Sequence, residues 1–422
     1  VTAQTGADIA GVAHRRRMLG AATATAFAAL VVGSNVPGPL LPMYADRMAL
    51  STFTVSALFA TYLVALVVTF TVMARTHLTR YAWLLLPGSV AGGIVADVAL
   101  MMGGDSVVAL FVGRYLTGTC VGVATGAAAT IAVAARGEKG RTIAASGAIF
   151  GSFVGLILGA VTAEYLPGPT TTVYVIHTGL LVTVVAVLVF ALYRARDILR
   201  AALVEPESVD AEAFDTERDT RARAAGYGIG LAGWAIGGIA VGILPTAVRE
   251  QTESSSLIVG ALAPVVLLSI AWLSPFVFTA LRTALRPIQS LILIAAGAIL
   301  CAAGVLSSSL ILVLAGCVCW GLGQGFAYAC GLRILTRGAS AVEQGRIASR
   351  FASFCYGLTA VLALVTGAVS TAWGSATGMA TAGVVFVVLC SVVALLGHRR
   401  WEAPAEPLGP ELLQPGSVTR VQ

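Results

Sequence analysis

Long apolar runs separated by short polar clusters set the rhythm of this chain. An α-helix needs about 20 apolar residues to cross the hydrocarbon core of a bilayer. On that measure the sequence predicts twelve helices, at 19–42, 53–74, 81–103, 106–135, 143–164, 172–194, 226–248, 256–280, 287–306, 309–336, 346–372 and 375–397. Charge is almost absent from the runs. Between Met18 and Arg75 the only charged residues are Asp46 and Arg47, and between Tyr81 and Ala135 only Asp97, Asp105 and Arg114. Arg15, Arg16 and Arg17 precede an apolar run too long for a cleaved signal segment, so that run reads as the first span.

The spans fall six and six. The segment 195–225 between them carries seven carboxylates, from Glu205 to Asp219, interleaved with Arg218, Arg221 and Arg223. Such a run has too little apolar surface to pack in a core. The predicted organisation is a tail at 1–18, a half at 19–194, a linker at 195–225, a second half at 226–398 and a flexible tail at 399–422. Positive residues supply an independent check, because they collect on the cytoplasmic side of membrane spans. Of the 26 lysines and arginines, all but Arg47, Arg249 and Arg114 fall on the side of the chain ends. Loss of one span would break this alternation. The expectation is a plasma-membrane protein with both termini cytoplasmic.

Composition agrees. The 422 residues are 58% hydrophobic and only 11% charged, against about 25% charged in soluble domains, and mean hydropathy is +0.90. The net charge of +6 follows from the loop arginines. No basic stripe with interleaved aromatics points to nucleic acid. The seven cysteines lie within apolar runs and none has metal-ligand spacing. The four histidines, His14, His77, His177 and His398, stand near span ends without pairing. No metal or other cofactor is expected. A GxxxxGK[ST] phosphate loop is also missing, so neither a membrane enzyme nor ATP hydrolysis by this chain is expected.

The two halves carry matching landmarks. Arg114, Gly118 and Gly122 on the fourth span are answered by Cys317, Gly321 and Gly325 on the tenth. Arg136-Gly137 before Gly140-Arg141 is answered by Arg337-Gly338 before Gly345-Arg346. Each match falls a little over two hundred residues downstream of its partner. Two parallel six-span repeats with a site between them are a known plan for secondary transporters.

With these landmarks the chain resembles the major facilitator superfamily over nearly its whole length. The most specific match is Arg114 with Gly118 and Gly122. A second is Gly147, Gly151, Gly155 and Gly159 on the fifth span, which looks like the glycine motif of the family's antiporters, with Ser152 where that motif has proline. The resemblance implies an all-α membrane fold of twelve helices and a role for Arg114 in proton coupling. It further implies a proton-coupled secondary transporter, acting as a monomer, that exports a small amphipathic or hydrophobic organic molecule. An importer or uniporter of the same architecture is the alternative, and a non-transporting sensor or scaffold is a different class. Two departures stand out. The loop 73–83 has Arg75 and Arg80 but lacks the family's aspartate, and the first span has Asn35 where many drug–proton antiporters have an acid.

Ionisable residues at membrane depth are functional candidates by default. Asp97 and Arg114 both lie roughly 9–12 Å below the outer surface at 1.5 Å rise per residue, and antiparallel neighbours can bring them together as a proton switch. Glu164 reads as a solvated rim residue and His177 as a packed one. For the substrate cavity the mid-span polar and aromatic residues are Asn35, Tyr62, Thr117, Trp234, Trp320, Gln324, Tyr328 and Tyr356. Glycines at four-residue spacing let helix backbones approach closely. This is the packing and gating role expected of Gly118, Gly122, Gly147, Gly151, Gly155, Gly159, Gly321 and Gly325. Pro37 and Pro39 break the end of the first span.

Overall fold

The computed structural model describes residues 2–50, 52–76, 78–204, 216–235, 237, 239, 244–254, 256–281, 285–336 and 341–397. All regular structure among them is helical. The elements are α1 (Thr2–Asn35), α2 (Pro37–Met48), α3 (Thr52–Arg75), a 3-10 turn (Leu78–Tyr81), α4 (Ala82–Met102), α5 (Val107–Arg136), α6 (Glu138–Tyr165) and α7 (Pro169–Arg194). They continue with α8 (Arg196–Val204), α9 (Thr216–Trp234), α10 (Leu244–Gln251), α11 (Leu257–Ala280), α12 (Pro287–Leu306), α13 (Leu310–Thr336), α14 (Ala341–Trp373) and α15 (Ser375–Gly397). In hydrocarbon every backbone N–H and C=O must find its partner inside the protein, and helices do this within one segment.

Eleven stretches among the described residues are long and apolar enough to cross a membrane. They coincide with the predicted spans except the seventh, which is interrupted by residues outside the description and flanked by α9 and α10. The chain has the twelve-helix architecture of two six-helix halves. Part of the predicted linker is helical: α8 is a short amphipathic helix held by an ion pair from Arg15 to Asp197 at 2.9 Å. α9 begins within the predicted linker at Thr216, while residues 205–215 of the acidic run and the tail from 398 lie outside the described residues.

Local chemistry explains the breaks. Ser106 caps α5 by accepting from the Ala109 N–H. Gly137 and Gly374 hold positive φ values of 58° and 87° between consecutive spans, where a side chain would be strained. The first span breaks at Val36. Pro37 and Pro39 follow, so two N–H groups that would have bonded Gly33 and Asn35 are missing.

Glycine positions set the helix packing. A Cβ at Gly151, Gly155 or Gly159 would strike the carbonyls of Ala28, Val32 and Val36 in turn. One face of α6 thus rides on the backbone of α1. The matched glycines serve alike in both halves: Gly118 and Gly122 seat α5 on α3 at Tyr62 and Thr69, while Gly321 and Gly325 seat α13 on α11 at Leu267 and Ala271. Each half buries its own apolar core, and the cores exchange elements. Ile149 and Leu156 of α6 join the core of the second half, and Ala352 and Ala360 of α14 join that of the first.

Overpacking a tight helix contact costs about 1–3 kcal/mol. Gly155→Leu is therefore expected to lower the melting temperature of the purified protein and broaden its gel-filtration peak. Gly179→Ala, where a Cβ meets nothing within 4 Å, is expected to leave both unchanged.

Candidate functional site

Arg114 is a closely constrained charge. It lies on α5 with only 4% of its surface exposed. Its Nη1 donates to the Ser34 carbonyl at 2.8 Å and its Nε to the Leu58 carbonyl at 3.3 Å. The guanidinium carbon sits 4.6 Å from the centre of the Tyr62 ring, within range of a cation–π interaction. Ser34 lies just before the break in the first span, so the arginine reads backbone at the break, between the two carbonyls that the prolines leave without a donor. It thereby joins α1, α3 and α5.

Asp97 does not pair with Arg114. Its carboxylate lies 2.7 Å from Nδ1 of His177 on α7, and the Thr178 hydroxyl donates to the same oxygen at 3.1 Å. Both partners are buried. The two helices present these residues to different neighbours. The geometry also fixes the proton count. Nε2 of His177 lies 2.9 Å from the Ala29 carbonyl, which can only accept, so Nε2 carries a hydrogen. The link between Nδ1 and the carboxylate then holds one proton, either on the ring as an imidazolium–carboxylate pair or on Asp97 as a neutral acid. His177 was expected to be a packing residue, and neither its sequence position nor its surroundings marks it. Only the convergence of α4 and α7 reveals it. Above this pair, the Tyr44 and Tyr174 hydroxyls meet at 3.3 Å.

A cavity of about 70 Å³ lies where the two halves meet. The first half lines it with Ser34, Asn35, Gly38, Phe59, Tyr62, Leu63, Arg114, Ile149 and Ser152, the second with Trp234, Gly237, Leu268, Gln324, Tyr356 and Thr359. Asn35 is held in place by its amide, which donates to Val31 O at 3.1 Å and to the Ser152 hydroxyl at 3.3 Å. Trp234 stacks edge-on with Tyr356 at 5.3 Å. The Gln324 carboxamide oxygen is buried without a hydrogen-bond partner among the described residues.

Five of the eight expected cavity residues line it: Asn35, Tyr62, Trp234, Gln324 and Tyr356. Three do not. Thr117 turns its hydroxyl back to the Gly113 carbonyl at 2.7 Å. Trp320 packs edge-on to Phe386 inside the second half, at 5.3 Å. Tyr328 stands behind Trp234 at 4.4 Å. Phe59, Ser152 and Thr359 line the wall without having been singled out; their residue types are too common in spans to signal it.

On the face that carries most of the arginines, the halves close through α3 and α14. The Thr71 and Ser353 hydroxyls meet at 3.0 Å, and Arg346 Nε reaches the Ala74 carbonyl at 3.4 Å. Phe150, Phe153, Trp272 and Phe276 interlock between α6 and α11. On the other face the carboxylate of Glu164 accepts from the Leu257 N–H at 3.0 Å, bridging the halves rather than standing free at the rim.

A family model described as Major Facilitator Superfamily matches residues 22–364. The fold is similar to that of the nucleoside transporter NupG in a mutant crystal structure, with a TM-score of 0.59 and 12% identity, covering 91% of this chain and 99% of that one. No curated protein matches the sequence.

An Asn at position 97 can donate to Nδ1 of a neutral His177 and keep the buried link bonded. An Ala leaves Nδ1 without a partner, at a cost of about 1–3 kcal/mol. Asp97→Ala is therefore expected to melt earlier than Asp97→Asn, as followed by thermal unfolding of the purified variants. Equal melting would show that the pair contributes nothing to the packed state.

Proposed function

This chain belongs to the major facilitator superfamily, and on that premise we propose that it is a proton-coupled secondary transporter of a small organic molecule. The carrying observation is the cavity between the halves, walled from both sides by aromatic and neutral polar groups and by one arginine. Aromatic walls with a few placed polar groups suit an amphipathic solute. Parallel repeats that rock about such a site give alternating access. Export across the plasma membrane, by a monomer with cytoplasmic termini, is the reading that the arginine distribution and the antiporter-like glycines of α6 favour.

Proton coupling falls to the Asp97–His177 pair, with Arg114 as its electrostatic neighbour in the same half. The pair holds one transferable proton, and neither member lines the cavity. Solute and proton therefore do not compete for one carboxylate. That separation favours a second reading, in which both move in the same direction by cotransport.

Flux in liposomes containing the purified chain decides between them. Accumulation of a solute from an amphipathic panel is expected to depend on an imposed pH gradient, and the orientation of the gradient that drives it reports antiport or cotransport. Asp97→Asn is expected to reduce gradient-driven accumulation to the level without a gradient, while solute exchange at equal pH persists. Undiminished gradient-driven accumulation in that variant would remove the pair from the coupling step.

A further inference from the structure

We infer that Arg114 is the anion-binding end of the cavity, and that the transported solute is a small organic anion with a planar, carboxylate-like group. The inference rests on the cavity being the transport site and names the solute class it takes.

Arginine cannot shed its charge in a protein. A cation inside a span is expensive, and it is normally met by an acid or by the ends of several dipoles. Here the carboxylate at similar depth, Asp97, is committed to His177 and Thr178. The ion pairs among the described residues are Arg15–Asp197, Arg47–Asp105 and Asp97–His177, and none involves Arg114. Two carbonyls and the Tyr62 ring partly balance the guanidinium, while its side chain forms part of the cavity wall. No aspartate or glutamate lines that wall. The field inside the cavity is therefore positive, which disfavours a cationic solute and favours an anion.

The remaining groups fit the body of such a solute. A guanidinium presents a planar fork that matches the two oxygens of a carboxylate. Gln324, from the opposite half, is 2% exposed and holds a carboxamide oxygen without a partner, so it waits for a donor on the ligand. Phe59, Tyr62, Trp234 and Tyr356 supply apolar walls. A ligand reaching from Arg114 to Gln324 would touch both halves at once.

The test uses the full chain, purified in detergent, and three probes of one shape: benzoate, benzyl alcohol and benzylamine. Binding is read by calorimetry. Benzoate is expected to bind at least about tenfold more tightly than benzyl alcohol, a difference of about 1.4 kcal/mol, with benzylamine the weakest. Arg114→Gln is expected to abolish the preference for benzoate. Since Arg114 pins three helices, that variant can fail to fold. Asn35→Asp keeps Arg114 and places a carboxylate in the same wall, so it is expected to abolish the preference too. Three outcomes overturn the inference: equal affinity for the three probes or a preference for benzylamine, no benzoate binding to a monodisperse protein, or a benzoate preference that survives in a folded variant. Flux is measured separately. A chain that moves neutral or cationic solutes but shows no anion preference loses this inference and keeps its transport role. One that prefers benzoate but moves nothing keeps the site and loses the transport role.

Discussion

A charge placed in hydrocarbon must be met by something polar, and around Arg114 that requirement shapes the first half. The guanidinium takes two carbonyls, that of Leu58 within α3 and that of Ser34 at the end of α1. Pro37 and Pro39 cannot donate into the ladder of the first span, which leaves the Gly33 and Asn35 carbonyls on either side of Ser34 without donors and breaks the span there. The resulting break lies next to Ser34, whose carbonyl Arg114 takes, and Asn35, whose amide reaches across to Ser152 on α6. The break, the buried arginine and the polar wall of the cavity are one construction.

The second half is built on the same helical plan without the charge. Cys317 stands where the repeat has Arg114, and there is no buried ion in the equivalent place among the described residues. Its contribution to the cavity is instead aromatic, through Trp234 and Tyr356, with Gln324 as the polar exception. One half is therefore stiffened by charge and carbonyl bonds, while the other presents a soft apolar surface. Apart from the apolar packing of α6 on α11 and of α3 on α14, the polar contacts that join them are light. A pair of neutral hydroxyls and two bonds to backbone close the arginine-rich face, each contributing on the order of 1 kcal/mol. Halves held this way can part without breaking anything buried and charged.

These features differ in how far the sequence discloses them. Spans are legible because length, apolar content and arginine placement all report on the same slab of lipid. The glycines are legible because spacing alone puts them on one face, and their matching in the two halves is real at the level of contacts: Gly118 meets Tyr62 where Gly321 meets Leu267. Azimuth is another matter. A helix apolar on every side carries no stripe to say which face meets the cavity, so Thr117 and Trp320 were placed at the wall and lie in the packing. The burial of Asp97 and Arg114 within spans was readable, but partnership depends on rotation about the helix axis. The same ambiguity hid His177, whose role follows from where α4 and α7 happen to cross.

The placement of His177 also bears on how a proton site outside the cavity can sense what is in it. The ring lies against the first span with its Cε1 corner foremost: a Cβ at Gly33 would strike Cε1 directly and both nitrogens at 2.8 Å. Its Nε2 hydrogen is held by the Ala29 carbonyl of the same helix. The residues immediately following, Ser34 and Asn35, line the cavity. The first span is thus the acceptor for one side of the proton-bearing pair, the carbonyl source for Arg114 and a wall of the solute site, within two turns of helix. On the proposed function, a movement of α1 that adjusts the wall to a solute also moves the acceptor of the His177 Nε2 hydrogen. On the same reading, a coupling of this kind needs no shared carboxylate, so an asparagine at position 35 is compatible with it.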